Sequence, residues 1–153
     1  MPDDKPTLPE YLASVEVEDE EITSETAARL DRARASNESI PHDDIFREFD
    51  LKKLSSEEPQ RIGVTWTPQG QADLRAIDRE TAIGILHCLD RFLKNREGDV
   101  KQLKPPRTDY RLRCGDYRLF FDLAVYETRS GRIRIITMSI RITTVRHRRD
   151  AYR

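Results

Sequence analysis

Apolar and basic residues alternate between positions 110 and 121, and strict alternation predicts a β-strand with one buried face. The alternation breaks at Gly115-Asp116, where a glycine favours a two-residue hairpin turn. Such a turn places Arg113 opposite Arg118 on the neighbouring strand. One face of the predicted hairpin is then apolar and consists of Leu112, Cys114, Tyr117 and Leu119. The other face carries Arg111, Arg113 and Arg118.

Arginines that face each other across a hairpin repel, and like charges in this position destabilise a sheet by up to about 1 kcal/mol. We therefore expect an anion beside them: a carboxylate of the same chain, a partner protein or the phosphate of a substrate. Guanidinium groups suit all three because their N–H donors match paired oxygen atoms. The alternative is a solvated basic face that only keeps the sheet soluble.

Regular patterns before the hairpin predict a strand followed by two helices. Alternation over 61–66 indicates the strand, and Thr67-Pro68 supplies the cap and first position of a helix. Apolar residues at three- and four-residue spacing predict a second, amphipathic helix over Arg79–Asn95. The two helices form a helical hairpin.

Strand patterns dominate the rest of the chain. A polar connection over 95–109 leads to the central hairpin, and strands are predicted over 123–126 and 132–145. The parity of the last pattern slips between Ile135 and Ile136, which predicts a bulge or two pieces of strand. The terminal residues are too basic for a core. We predict an α+β domain with an N-terminal strand, a helical hairpin and an antiparallel twisted sheet, whose helices cover one side and whose arginines lie on the other.

Short helices are predicted upstream of this domain. Thr23 or Ser24 can cap a helix over 25–35, and an Ile-Pro dipeptide opens a second over 42–49. An apolar patch over 8–15 has helical spacing but no local partner, so it is extended, disordered or docked elsewhere. Helices this short need a partner surface.

Charge divides the chain at the same point. The net charge is −1, but residues 1–60 hold 7 Lys and Arg against 17 Asp and Glu, whereas residues 61–153 hold 20 against 11. We therefore predict an acidic arm, ending in a linker over 51–60, joined to a basic domain. The arm is interpreted as a cover over an anion-binding surface, the alternative being a solvated tail.

Composition excludes several classes of protein. No run of about 18 apolar residues could span a membrane, and the first residues lack the pattern of a secretory signal, so we expect a cytoplasmic protein. Cys88 and Cys114 lie in core-like patterns and are interpreted as small hydrophobic residues. Two cysteines without clustered histidines predict no metal site, and we expect no cofactor.

Three motifs resemble the RelE/ParE superfamily of bacterial toxins from type II toxin–antitoxin systems. They are Lys-x-x-Lys at 101–104, Tyr-Arg-x-Arg-x-Gly-Asp-Tyr-Arg at the hairpin, and His-Arg-Arg-x-x-Tyr-Arg at the end of the chain. The resemblance covers about 62–153. Residues 30–49 are similar to the C-terminal portion of the antitoxins encoded beside such toxins. The chain thus resembles an antitoxin fragment joined in cis to its toxin.

For RelE-type members the resemblance implies cleavage of mRNA in the ribosomal decoding site without a metal. It places functional residues at Arg111, Arg113, Arg118, Arg148 and Tyr152. Further contacts to RNA are expected from Lys101, Lys104, Arg146, Arg149 and Arg153. Contacts of the antitoxin-like arm are expected from Leu30, Ile45, Phe46 and Phe49.

The chain departs from the RelE pattern at the general base. Well-known RelE enzymes have lysines where this chain has Arg111 and Arg113, and arginine is not deprotonated in proteins. His147 is the nearby residue type that titrates close to neutral pH, so it is a candidate base. The alternative is that His147 only caps the strand or contacts RNA.

Two other functions fit the same resemblance. A ParE-like toxin binds and poisons DNA gyrase without chemistry of its own, and the arginine and tyrosine motifs favour the RelE-like reading over it. An inactive remnant would use the basic sheet only as a docking face for the arm. The partners that we expect are thus mRNA on the ribosome, or DNA gyrase, together with the antitoxin-like segment in cis or in trans.

Overall fold

The computed structural model describes residues 8–51 and 62–152. The predicted linker, apart from its first residue, and the terminal Arg153 lie outside the described residues. In chain order the elements are α1 (Leu8–Ser14), α2 (Ser24–Ala35), β1 (Ile40–Pro41), α3 (His42–Glu48), β2 (Ile62–Trp66), α4 (Pro68–Ala76), α5 (Arg79–Asn95), β3 (Asp99–Gln102), β4 (Tyr110–Cys114), β5 (Tyr117–Ser130), β6 (Ile133–His147) and α6 (Arg148–Ala151).

All six of these strands belong to one sheet, in the order β1-β2-β6-β5-β4-β3. Neighbouring strands are antiparallel except for β2 and β6, which run parallel. The fold is therefore mixed α and β with a mostly antiparallel sheet, in agreement with the predicted α+β class. None of the helices in the described ranges is long and apolar enough to cross a bilayer.

The central hairpin has the predicted register. Strands β4 and β5 pair Arg113 with Arg118 and Arg111 with Phe120. Gly115 has a φ of +62°, a left-handed conformation that a hairpin turn needs here and that glycine adopts without steric cost. Because residues directly opposite each other share a face of the sheet, the three predicted arginines lie on one side. We call this side the arginine face.

Helices α4 and α5 cover the other side of the sheet. Thr67 caps α4, as predicted, by accepting a hydrogen bond from the Gly70 N–H at 3.0 Å. Helix α5 spans the predicted residues and buries its apolar stripe. The buried residues on this side form the main core, whose fully buried members include Trp66, Leu74, Leu86, Leu89, Phe92, Leu112 and Phe121.

A smaller cluster lies on the arginine face. It consists of Leu30, Leu103, Phe120, Ala151 and Tyr152, with Ile22 packed against it. The cluster joins the arm, the β3–β4 connection, the sheet and the end of the chain. The expectation that the terminal residues are too basic for a core was therefore wrong for Ala151 and Tyr152, which are buried. Arg148 and Arg149, which lie between β6 and Ala151, are exposed, whereas Ala151 and Tyr152 pack inwards.

The arm wraps around the sheet and pairs with both of its edges. At one edge Val17 forms a parallel bridge with Gln102 of β3, and at the other edge β1 pairs antiparallel with β2. Unpaired edges expose N–H and C=O groups that can recruit other strands, and the arm covers them. Helix α1 adds Leu8 and Leu12 to the main core, so the docked alternative for the apolar patch is the one observed.

Two predictions about the strands need correction. The connection over 95–109 was expected to be irregular but contains β3, which has Val100 as its one buried residue and exists because it pairs with β4. The predicted bulge is present at another place. Pairing is continuous at Ile135 and Ile136, and the register shifts between Phe120 and Phe121, so the extra residue of β6 is Thr143.

Candidate anion-binding site

Two rows of basic residues cross the arginine face. In the first row, strand pairing places Arg113, Arg118 and Arg146 opposite one another on β4, β5 and β6. In the second row, Lys101 of β3 is opposite Arg111 of β4. Cations at adjacent register positions add their fields and make this part of the sheet strongly attractive to an anion.

The anion found there is a carboxylate of the arm. Arg111 is buried, with 4% of its surface exposed, and its Nε lies 2.6 Å from Oε2 of Glu18. Its Nη1 lies 3.2 Å from Oδ1 of Asp99 and donates to the Asp99 carbonyl oxygen at 2.6 Å. The expectation of an anion beside the arginines is met by a carboxylate of the same chain, one of the three alternatives.

Glu18 is bound through both of its carboxylate oxygens. Its Oε2 also accepts a hydrogen bond from the Tyr152 hydroxyl at 3.3 Å, and its Oε1 accepts from the N–H of Asp19 at 3.0 Å. The backbone of the arm is fixed at the same point, because the Glu18 N–H donates to the Gln102 carbonyl oxygen at 2.7 Å. Glu18 is buried, with 6% of its surface exposed. The Glu18 carboxylate is thus bound at a specific buried position and differs from a solvent-exposed surface carboxylate.

The ionisation of Glu18 and Tyr152 is shifted by this arrangement. Burial raises the pKa of Glu18, but the hydrogen bond and charge of Arg111 outweigh it, so the pKa of Glu18 lies below its usual range. Burial and the charge of Glu18 raise the pKa of Tyr152 to about 12. Glu18 is therefore an anion and Tyr152 a neutral donor at neutral pH.

The two remaining arginines of the hairpin differ in exposure. Arg118 is buried, with 8% of its surface exposed, and its Nη1 donates to the carbonyl oxygens of Gly115 at 2.9 Å and Tyr117 at 3.0 Å. Its charge opposes the rise in the pKa of Tyr152, so it belongs to the same electrostatic cluster. Arg113 is exposed. An anion that approaches from solvent would therefore contact the exposed Arg113 before the buried Arg118.

The other basic residues of the predicted site that the structure describes have different surroundings. The charge of Lys101 acts directly on Glu18, whereas Lys104 is exposed beyond the end of β3. Arg146 is half-buried, with Nη1 3.9 Å from Oε1 of Glu25 in α2. Arg148 and Arg149 are exposed at the start of α6.

His147 is separated from the arginine face. It pairs with Tyr117, one position beyond the Arg118–Arg146 pair, so it emerges on the opposite side of the sheet. Its ring packs edge-on against Tyr117 at 5.2 Å, and its Nδ1 accepts from the Arg149 N–H at 3.2 Å, which caps α6. This placement gives His147 a capping contact and no contact with Glu18.

The predicted arm contacts occupy both sides of the sheet. Leu30 of α2 packs on the arginine face, in the second cluster. Ile45, Phe46 and Phe49 pack in the main core on the other side. Both arm helices thus pack against the basic domain, and α2 is the helix beside the arginines.

Sequence reasoning missed Glu18 and Asp99 as the residues that neutralise Arg111. It expected an acidic arm over a basic surface, but nothing distinguishes Glu18 from its neighbours in the run from Glu16 to Glu21. The distinguishing contact spans 93 positions of the chain and appears only when the arm is folded against β4.

Comparison of the chain with protein-family models, with curated proteins and with solved structures found no match. Within residues 8–51 and 62–152, no group of three or more His, Cys, Asp and Glu side chains could hold a metal ion. The geometry itself defines a site where one buried arginine and a phenol hold one oxygen of a carboxylate.

Proposed function

We propose that residues 62–153 form a RelE-like toxin domain that binds and cleaves mRNA, and that the arm inhibits it in cis. In this proposal the carboxylate of Glu18 occupies the place of a phosphate group. The single observation that carries the proposal is the buried contact of Glu18 with Arg111 and Tyr152.

The residue types in the cluster support a phosphate ligand. The N–H groups of arginine donate to carboxylate and phosphate oxygens alike, so a site in which Nε of Arg111 holds Glu18 is chemically suited to a phosphodiester. The row of Arg113, Arg118 and Arg146 continues from the cluster along the sheet and could follow the backbone of a single strand. The element order strand, helical hairpin and antiparallel strands also agrees with the resemblance.

The chemistry assigns roles to named groups. Cleavage by a neighbouring 2′-hydroxyl needs charge stabilisation on the phosphorane oxygens, an acid and a base. Arg111 and Arg118 would stabilise that charge, and Tyr152, which keeps its proton at neutral pH, would donate a hydrogen bond. His147 lies on the other side of the sheet, so it is not the general base in this proposal.

A charge-matched pair of full-length variants tests the proposal. Glu18→Lys puts a third cation beside Arg111 and Lys101 and should displace this part of the arm by repulsion. Glu20→Lys makes the same change in net charge at an exposed position two residues away. Both are expressed from an inducible promoter, and the purified proteins are incubated with translating ribosomes while message ends are mapped.

Glu18→Lys should arrest growth and produce fragments with defined ends, and Glu20→Lys should do neither. Adding Arg118→Ala to Glu18→Lys should abolish the fragments, because the phosphate then loses a buried cation. Equal behaviour of the two lysine variants would overturn inhibition by Glu18. Growth arrest with intact messages and inhibited supercoiling by gyrase would replace the RNase proposal with the ParE-like alternative.

A further inference from the structure

The two cysteines of the chain meet on the side of the sheet opposite the arginine face. Cys88 lies on α5 and Cys114 ends β4, next to the hairpin turn. Their Sγ atoms are 2.7 Å apart, and both residues are free thiols. A disulfide bond has a length of about 2.05 Å, so the sulfur atoms need little movement to form one.

Cys88 is the more exposed of the two cysteines. Cys88 is half-buried and lines a cavity of about 460 Å³ between α5 and the hairpin turn. Arg91 and His147 also line this cavity. Cys114 also lines the cavity but is buried, with 7% of its surface exposed. An outside reagent would therefore meet Cys88 first.

The electrostatic environment separates the two thiols in the same order. The hydrogen bond donated by Cys114 and the charge of Arg91 lower the pKa of Cys88, although burial opposes them. The same hydrogen bond, together with burial, raises the pKa of Cys114. A thiolate is the nucleophile in thiol–disulfide exchange, so Cys88 is the attacking residue and Cys114 the resolving residue.

We propose that Cys88 and Cys114 form a dithiol–disulfide redox site whose oxidant is a small anionic disulfide of the oxidised-glutathione class. The Cys88 thiolate attacks one sulfur of the oxidant, which forms a mixed disulfide and releases one thiolate. Cys114 then loses its proton to solvent and attacks the Cys88 sulfur, which forms the protein disulfide and releases the second thiolate. Two protein thiols and one small disulfide thus give one protein disulfide and two small thiols.

The surroundings distinguish this pair from cysteines that only fill a core. Arg91 at the mouth of the cavity can bind a carboxylate of the oxidant. The bond would join α5 to β4 directly beside Arg113 and the Gly115-Asp116 turn. It would thereby fix the end of the hairpin that carries the arginine face, without involving any residue of that face. The redox site is thus independent of the proposed RNase function.

The test uses the full-length wild-type chain equilibrated in glutathione buffers of increasing oxidised fraction. The samples are quenched with acid and analysed by intact mass and by tryptic mapping without reduction. We expect a loss of about 2 Da, as formation of one disulfide requires, and a cross-link between the peptides 80–91 and 114–118. A chain that stays reduced in every buffer, or that accumulates a stable glutathione adduct, would overturn the proposal.

Two serine variants test the order of attack. Cys114→Ser should stop at the mixed disulfide on Cys88, because the resolving thiol is absent. Cys88→Ser should react more slowly at Cys114, by roughly tenfold or more, because that thiol is buried and its protonated form is favoured. If the two folded serine variants react with the oxidant at equal rates, and if urea raises both rates equally, the assigned roles are wrong. Circular dichroism of each variant checks that it is folded.

Discussion

Replacing Glu18 by glutamine isolates the charge that the arm places on the arginine face. The substitution keeps the shape of the side chain and one acceptor oxygen but removes the negative charge that Arg111 contacts at 2.6 Å. The full-length Glu18→Gln chain should be less stable than the wild type, and its arm should open more often. The matched control is Glu20→Gln, which removes an exposed charge from the same acidic run.

The contacts of Arg111 set the size of this effect. Breaking a buried ion pair by removing one charge costs about 3–5 kcal/mol when the partner is left unpaired. Here Asp99 remains 3.2 Å from Nη1 of Arg111, so the loss should be smaller. We expect about 2–3 kcal/mol, which corresponds to about a 30- to 160-fold change in the equilibrium constant. The exposed control should change stability by about 0.5 kcal/mol or less.

Urea unfolding measures the global effect, and hydrogen exchange of the Glu18 and Gln102 amides measures opening of the arm. The pH dependence supplies a further check. Because the folded-state pKa of Glu18 is lowered, its stabilisation is present above the unfolded-state pKa and is lost as the pH falls through the folded-state value. The difference between wild type and Glu18→Gln should therefore shrink in acid. Identical stabilities of the two glutamine variants at neutral pH would refute the reasoning.

Three further predictions concern packing, docking and ionisation. Gly70→Ala should destabilise the chain by about 1–3 kcal/mol, because its Cβ would lie 3.1 Å from the Ile142 carbonyl oxygen. Gly84→Ala should stabilise the chain by about 0.5–1 kcal/mol, because its Cβ would meet no atom within 4 Å. Equal effects of the two variants in urea unfolding would contradict this contrast. Arg141→Ala should lower the free energy of unfolding by about 2 kcal/mol and speed amide exchange in α2, because the Arg141 guanidinium donates to three carbonyl groups around the end of that helix. Unchanged exchange would contradict this role of Arg141. Tyr152 should ionise with a pKa of about 12, so ultraviolet titration should show a late step that Tyr152→Phe removes. Its stabilising effect should persist below the unfolded-state pKa of 10 and fade as the pH rises towards 12. A titration that Tyr152→Phe changes only around pH 10, with no later step lost, would contradict this prediction.

Local patterns were sufficient for most elements of the basic domain. Helix α5 was predictable because its apolar stripe has the helical period over its full length, and α4 because Thr67-Pro68 is a strong start signal. The register of the hairpin followed from a two-residue turn with Gly115 at the left-handed position. In each case the deciding information lies within a few residues of the element itself.

Features that depend on distant partners were not predictable. Strand β3 has one buried residue, Val100, and owes its conformation to pairing with β4. The selection of Glu18 from an acidic run and the contact between Cys88 and Cys114 both depend on how separate elements pack. Tyr152 was expected to be functional but not buried, because its basic neighbours give no sign that it packs in the second cluster.

The central claim is that Glu18 occupies a binding site for an anionic strand. Binding of a short single-stranded RNA by full-length chains tests it most directly, with Glu18→Ala compared with Glu20→Ala at several salt concentrations. We predict that Glu18→Ala binds at least about tenfold more tightly than Glu20→Ala, and that the gain weakens with salt and disappears when Arg111→Ala is added. Equal affinities of the two alanine variants, or a gain that survives the loss of Arg111, would contradict the account.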